Sequence, residues 1–576
     1  MEKTNITTIG KIILDERFYE GVDRYSDGDI EDELLKMVET HDRKAFRKLT
    51  EEKNNWPVLY HLSPFRENIA EWIPIQKNEK VLEVGSGCGA ITGALAKKAG
   101  KVVGVDLSKK RSTINANRLK DADNVELRIG NFLDVEKDLP DDFDVIMLIG
   151  VFEYAAGYIG GEHPYEEFLK ILKKHLKSGG RMFIAIENLF GLKYFAGCRE
   201  DHAGRYFEGI EGYPKKGVAR TFSENGLKRI FESVGLPQYR FYYPYPDYKF
   251  PHTIFSKECF PKKGELHDNI RNFDRERMIL FDETKAFDTI IDDGEFPLFS
   301  NSYLVVIGEA PDIAMVKYSV DRDEAYGICT TIEGLKTQKK VIKRAMSEKA
   351  VGHIDNIEKA YRALTERFAG SGISFNRLER IDDKRIELEF VEGITLEELL
   401  DQKLQRGDKE GFLSLFDRYS GIVSYHTEAA VCDYDLIFQN IIVKGDVWTV
   451  IDYEWTFFES MDPKEIILRA LWCYIQGNEN RKIVKEWCCP GTDFGDVVRK
   501  EQEFQKKVQG GHPALSEIRH AIGKAATSPK ALNRAHLPSI TGMPASGPMS
   551  PRPSTAVPSV MTATRLCRRV RLKDWL

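Results

Sequence analysis

From residue 80 to 190 the chain alternates short apolar runs with stretches of helical period. The runs are Val81–Val84, Val102–Val105, Val125–Ile129, Val145–Ile149 and Arg181–Ile186. They are short and mostly apolar, as strands are. Helical patterns follow the first, second and fourth. Alternating strand and helix signals predict an α/β domain over residues 76–265, with a mostly parallel seven-stranded sheet and helices on both faces. Residues 1–75 read as a helical extension, with an apolar stripe at Leu34, Leu35, Met37 and Val38 and a helical period from Trp56 to Ile73.

Further on, residues 266–298 are polar and acidic and read as a connector. A new pattern starts at 299. Strands are expected at Tyr303–Ile307 and Ala314–Tyr318, a long helical region at 333–369, and a hairpin at Ile441–Val443 and Thr449–Ile451. That order predicts an α+β domain over 299–490, followed by a helical end at 491–524. No internal repeat is visible. From 525 to 576 there are seven prolines and eight Lys/Arg against one acid, with no Phe or Tyr. Such a segment buries too little apolar surface to offset its ordering entropy, so disorder is expected. The change in composition after Lys524 is abrupt enough that a shifted reading frame would produce it.

Bulk properties narrow the setting. The net charge of −6 gives no basic field for nucleic acid, and none is expected as a partner. No run of about 18 apolar residues occurs, so no transmembrane segment is expected. The polar N-terminus lacks a signal-peptide pattern. The nine cysteines are scattered and odd in number, which fits reduced thiols in a cytoplasmic protein. Cys488-Cys489 has no companion pair at zinc-ligand spacing.

The densest chemical signal is Val81-Leu82-Glu83-Val84-Gly85-Ser86-Gly87-Cys88-Gly89, a strand running into a glycine turn and a helix. Glycines let a backbone turn sharply and approach a ligand closely. Asp106 ends the next strand, 21 positions after Gly85, where a carboxylate can hold ribose hydroxyls. The dinucleotide fingerprint is not met, because the third glycine falls one position early. This E-x-G-x-G-x-G turn resembles the first motif of class I S-adenosylmethionine-dependent methyltransferases. The likeness continues through Asn131-Phe132, Phe143-Asp144-Val145-Ile146, Gly150-Val151-Phe152-Glu153-Tyr154 and Gly179-Gly180, over about 180 residues in the right order.

That resemblance implies S-adenosylmethionine as cofactor. Gly85, Ser86, Gly87, Gly89 and Gly150 would line its methionine and ribose, and Glu83 would hold the turn and the amino group. Asp106 would take the ribose, and Asn131 and Phe132 the adenine. Glu153, Tyr154, Glu187, Asn188 and His202 are the expected neighbours of the methyl acceptor, with Glu153, Glu187 and His202 assigned to catalysis. A loop histidine such as His202 is also commonly just solvated. Tyr239–Tyr248 has two readings: a surface that stacks sugars, or a strand and proline turn that cover the sheet.

In the later domain Asp435 and Asn440 form D-x-x-x-x-N, and Asp452 follows twelve positions after Asn440. The spacing resembles the aminoglycoside-phosphotransferase-like branch of the protein-kinase fold. The likeness implies Asp435 in catalysis, Asn440 and Asp452 on Mg²⁺, Lys317 on the phosphates of ATP, and Glu348 pairing with that lysine. Two departures stand against it: no glycine-rich loop precedes Lys317, and Asp433 occupies the usual histidine position. The plainer reading makes Asp435, Asn440 and Asp452 turn residues around a hairpin. A methyltransferase followed by a kinase-like domain is similar to bifunctional bacterial enzymes that cap O-antigen chains. That likeness implies a glycan or glycolipid-precursor acceptor, glycan-assembly proteins as partners, and peripheral membrane contact. The alternative is a methyltransferase with an inactive kinase-like module that binds nucleotide or recruits a partner.

Overall fold

The structure, a computed structural model, describes residues 5–23, 27–215, 217, 219–269, 276–522 and 526–527. The expected tail at 525–576 lies outside the described residues apart from Ala526 and Thr527. The described residues divide into two units, one over residues 5–320 with 513–527 and one over residues 321–512.

The first unit is built on a sheet whose central strands are β3 (Lys80–Val84), β4 (Lys101–Asp106), β5 (Val125–Gly130), β6 (Phe143–Ile149) and β7 (Leu176–Glu187). Their order is β5-β4-β3-β6-β7, all parallel. Val81, Leu82, Val102, Val145 and Ile146 are fully shielded. Each such side chain contributes roughly 1.5–3 kcal/mol relative to exposure. The order in which successive strands are added reverses at β3: β4 and β5 lie to one side, and β6 and β7 to the other. Ligands of open α/β sheets bind at that switch, outside the carboxyl ends of the strands. Val84 pairs in register with Val105 and with Leu148, so the three strands end at one level and their following loops share a rim.

Beyond β7 lie β8 (Tyr239–Tyr245), β9 (Thr253–Ser256), the short β10 (Arg277–Met278), β11 (Ser302–Ile307) and β12 (Ile313–Tyr318). β11 runs antiparallel between β7 and β8, giving a seven-stranded core with one reversed strand. β9 and β12 extend this side. The expected domain start at 299 is therefore corrected. The apolar runs at 303–307 and 314–318 complete the first sheet, a long-range pairing that local pattern does not reveal. The described part of the connector expected at 266–298 is also folded. Leu266, Phe287 and Phe296 are buried, and Phe296 packs edge-on against Tyr243 and Phe255.

The reading of 1–75 as wholly helical needs the same kind of correction. β1 (Ile6–Ile9) and β2 (Ile12–Phe18) form a hairpin, and β2 joins the sheet edge parallel to β5. Ile12 and Leu14 point inward at period two. The charges of Asp15-Glu16-Arg17 hide that alternation in sequence, yet Asp15 is buried and held by Arg17.

The second unit is α+β. An antiparallel sheet is formed by β13 (Ile328–Glu333), β14 (Lys340–Ala345), β16 (Leu378–Asp382) and β17 (Arg385–Glu389). A second sheet contains β15 (Ile373–Phe375), β18 (Ile394–Thr395), β20 (Ile441–Lys444) and β21 (Val447–Val450), while β19 (Cys432–Asp433) pairs with β22 (Thr456–Phe457). Helices Val351–Arg367, Leu396–Gln405, Lys409–Val423 and Pro463–Gly477 close over one apolar core. The helical region expected at 333–369 thus begins as β14 and becomes helix only at Val351. Lys340-Val341-Ile342-Lys343 is too short for its period to decide between the two.

Candidate functional site

The turn after β3 is fixed by its own backbone. Gly85 and Ser86 N–H donate to Val105 O at 2.8 and 3.2 Å. Asp106 accepts from Gly87 N at 2.8 Å and Ser108 N at 2.9 Å, so this carboxylate ties the glycine turn to the helix Lys109–Arg118. Gly85 has φ +78°, and a Cβ there would stand 2.3 Å from Val151 Cγ2. Thr92 donates to Glu83 at 2.6 Å, and Asn115 donates to Thr92 at 3.0 Å. Burial pushes the Glu83 carboxyl up to about 8 and raises Asp106 above its ordinary value. A ligand cation near Glu83 would offset that desolvation.

This turn opens into a cavity of about 160 Å³. Glu83, Gly85, Ser86, Gly87, Asp106, Phe132 and Gly150 line it. Ser86 Oγ is buried there without a hydrogen-bond partner. Two expected positions do not line it. Gly89 instead packs against Asn115, whose Oδ1 would lie 2.2 Å from a Cβ at that position, so its glycine serves helix packing. Asn131 caps the turn Phe132–Val135 by accepting from Leu133 N at 3.1 Å, and Gly130 stands at the wall in its place.

A second cavity, about 270 Å³, adjoins the first and shares Tyr60, His61, Arg111, Gly150 and Tyr154 with it. Glu153, Glu187 and His202 come together there, with ligand atoms within 4.8 Å of one another. Asn188 does not join them. It donates to Leu298 O and Ser300 O and anchors that loop. His202 is placed by Glu200, which accepts from the His202 backbone N at 2.9 Å and meets its Nδ1 at 3.0 Å. Burial opposes a charge on His202, but Glu153 and Glu200 raise its pKa well above the ordinary value. Burial likewise raises Glu153. Lys249 bonds Glu187 and lies 3.2 Å from Asp201, and Lys193 lies 2.6 Å from Asp201. Against its burial, these two lysines hold the Asp201 carboxyl well below the usual range.

Several lining residues carry no local sequence signal. The helix Trp56–Leu62 brings Tyr60 and His61 over both cavities. Arg111 is held by Glu31 at 2.7 Å and Asp27 at 2.9 Å, and His61 meets Asp27 at 2.8 Å. In the aromatic stretch, Tyr242 and Tyr243 are buried within β8, which favours the sheet-covering reading, while Tyr248 reaches the second cavity.

Residues 82–182 match the family model described as a methyltransferase domain. The first unit contains a class I, Rossmann-like methyltransferase domain. The chain is 24% identical over 140 residues to a ubiquinone biosynthesis O-methyltransferase of Pseudomonas syringae, covering 24% of this chain and 56% of that protein. It is 29% identical over 123 residues to a demethylmenaquinone methyltransferase of Tropheryma whipplei, covering 21% and 46%. The chain thus spans about half the length of these relatives. A SAM-dependent methyltransferase structure from Archaeoglobus fulgidus aligns with TM-score 0.27 and 17% identity, over 42% of this chain and 92% of that one. Among the described residues no helix is long and apolar enough to cross a membrane.

In the second unit Asp435, Asn440 and Asp452 are all buried. Asn440 donates to Asp435 O at 2.9 Å. The expected phosphate lysine is corrected: Lys317 lies on β12 of the first unit, opposite Thr253 of β9. The lysine that meets Asp452 is Lys343 on β14, at 2.8 Å. Nor does Glu348 pair with a buried lysine. It is exposed and bonds Lys384, while Glu454 stands 3.5 Å from Lys343. Burial pushes Asp435 up to about 7 and Asp452 to about 6, against the opposing pull of Arg469 and Lys343 respectively. A small cavity of about 30 Å³ lies between Lys343, Asp452 and the segment Glu389-Phe390-Val391.

Proposed function

We propose that the methyltransferase domain transfers a methyl group from S-adenosylmethionine to an oxygen of a hydroxyl-rich acceptor of the glycan or glycolipid-precursor class. The carrying observation is the pair of adjoining cavities. One is framed by the glycine turn and Asp106, and the other is lined by carboxylates, lysines and aromatic rings. S-adenosylmethionine supplies an electrophilic methyl on a sulfonium: as the acceptor oxygen bonds the carbon, the carbon–sulfur bond breaks and its electron pair goes to sulfur. The acceptor hydroxyl loses its proton through the carboxylates of the second cavity to water. In-line displacement depends mainly on alignment and exclusion of water. Gly150 and Tyr154, common to both cavities, set that alignment. Trp56, Tyr60, Tyr154 and Tyr248 offer apolar faces with polar edges, which suit sugar rings. Ile149-Gly150-Val151-Phe152 stands where amino-methylating enzymes carry Asn/Asp-Pro-Pro-Tyr, and the Pseudomonas relative is named an O-methyltransferase.

Asp106 gives the direct test. In this reading the Asp106 carboxylate, which also accepts from Gly87 N and Ser108 N, holds two ribose hydroxyls, and hydrogen bonds to a charged group contribute about 1.5–3 kcal/mol each. Asp106→Ala is expected to weaken S-adenosylmethionine binding by about 100-fold or more in calorimetry. Unchanged affinity in a folded variant contradicts the site.

For residues 321–512 we infer a protein-kinase-like module that takes Mg·ATP. Asp433, Asp435 and Asp452 each hold a buried carboxylate oxygen with no hydrogen-bond partner, and Lys343 stands beside Asp452. A divalent cation with polyphosphate would satisfy both. As a kinase, the module would move the γ-phosphoryl group of ATP to an acceptor hydroxyl, releasing ADP and a proton. One observation favours the non-catalytic alternative, a nucleotide-binding or partner-recruiting module: the Arg469 guanidinium lies 3.1 Å from Asp435 and neutralises the group that would take that proton. Titration with Mg·ATP is expected to show binding that Lys343→Met removes. ADP release then marks a kinase, binding without turnover marks the alternative, and no binding refutes both.

A further inference from the structure

We propose that Glu153, Glu187 and His202 form a binding site for one divalent transition-metal ion in the second cavity of the methyltransferase domain. Two carboxylates and one imidazole are a mixed oxygen and nitrogen set that suits Mn²⁺, Fe²⁺ or Zn²⁺. Ligand atoms about 2.1 Å from a tetrahedral or octahedral ion lie roughly 3.0–3.4 Å from one another. His202 Nε2 is 3.4 Å from Glu153 Oε1 and 3.9 Å from Glu187 Oε2, so slight side-chain rotation closes the set.

Three further observations point to a ligand. Glu153 is 1% exposed and Glu187 fully buried, yet Glu153 Oε2 and Glu187 Oε2 have no hydrogen-bond partner. Unpaired buried carboxylate oxygens are costly, and a cation relieves that cost. Glu187 uses Oε1 for Lys249, which leaves Oε2 directed toward His202. His202 in turn has its Nδ1 engaged by Glu200 at 3.0 Å, turning Nε2 toward the two glutamates. A carboxylate behind a histidine is the usual outer-shell support of a metal ligand. Charge agrees. Glu153, Glu187, Glu200 and Asp201 bring four carboxylates to this linked cluster, and Lys193 and Lys249 bring two ammonium groups. Once a divalent ion displaces the proton from His202 Nε2, four carboxylates against two ammonium groups leave two negative charges to meet it.

Three protein ligands leave coordination positions open, as in catalytic rather than structural sites. The ion would hold an acceptor oxygen beside the cofactor cavity. That role rests on the methyl-transfer reading, whereas the site itself does not.

The test uses the full chain stripped with EDTA and titrated with MnCl₂ alone, read by calorimetry and pulsed electron paramagnetic resonance. Bound Mn²⁺ with a coupled imidazole nitrogen is expected, and that coupling should vanish in His202→Gln. Glu200→Gln, which removes only the outer partner, should weaken Mn²⁺ binding about 10- to 100-fold. Thermal melting separates lost binding from lost folding. No binding of Mn²⁺ or of Zn²⁺ by the unaltered chain at millimolar concentration overturns the site. So does bound Mn²⁺ without imidazole coupling, which would place the ion elsewhere, such as among Asp433, Asp435 and Asp452. Mn²⁺ on His202 without S-adenosylmethionine binding would overturn the methyl-transfer reading and leave the metal site standing.

Discussion

Replacing Gly85 by arginine is expected to abolish S-adenosylmethionine binding while the second unit stays folded. Gly85 sits at φ +78°, where a residue with a Cβ is strained by about 1–2 kcal/mol. The new Cβ would also lie 2.3 Å from Val151 Cγ2, in the loop that carries Gly150 to the cavity wall. The turn would have to open, and Gly87 N–H would lose its register with Asp106. Any long side chain that found room would do so inside the glycine-turn cavity itself. Calorimetry on the variant should show no heat with S-adenosylmethionine. A Kd within threefold of the parent chain would remove Gly85 from the site.

Arg469→Ala is expected to cost about 3–5 kcal/mol, the usual penalty for breaking a buried ion pair from one side. Arg469 is 2% exposed. It bonds Glu501 at 2.7 Å, Asp435 at 3.1 Å and Tyr434 O at 2.7 Å, and its guanidinium lies 4.0 Å from the centre of the Tyr434 ring. Removing it leaves two carboxylates buried without their cation, and Asp435 is already raised by burial. In a unit of this size each kcal/mol moves the unfolding midpoint about 2–4 °C, so a fall of roughly 6–20 °C is expected. A shift below 2 °C would mean that Asp435 and Glu501 do not depend on this arginine. Arg469→Lys should recover only part of the loss, since one ammonium cannot span both carboxylates in a fixed plane.

What was readable in the sequence follows the range of the interactions. Glu83, Gly85, Ser86 and Gly87 share one turn, and Asp106 closes the adjacent strand, so short-range spacing locates the glycine-turn cavity. Glu153, Glu187 and His202 are separate in sequence: Glu153 follows β6 and Glu187 ends β7, so the parallel sheet brings these two to one rim, whereas His202 reaches them from the long segment between β7 and β8. Contacts made across long separations were not readable. Lys249 reaches Glu187, Arg111 reaches Asp27 and Glu31, and β11 enters between β7 and β8. Lys317 fits the expected lysine-bearing strand by local pattern, while Lys343 lies in a stretch read as helical, and only strand pairing shows which unit each joins. Gly89 shows the converse error: a glycine inside a ligand motif whose glycine is needed for packing on Asn115.

The most direct test of the central claim is calorimetric titration of the full chain with S-adenosylmethionine, run beside Asp106→Ala. One site per chain, weakened by about 100-fold or more in the folded variant, is the expected result. No binding to the unaltered chain, or equal binding to both proteins, would contradict the assignment of the glycine-turn cavity to S-adenosylmethionine.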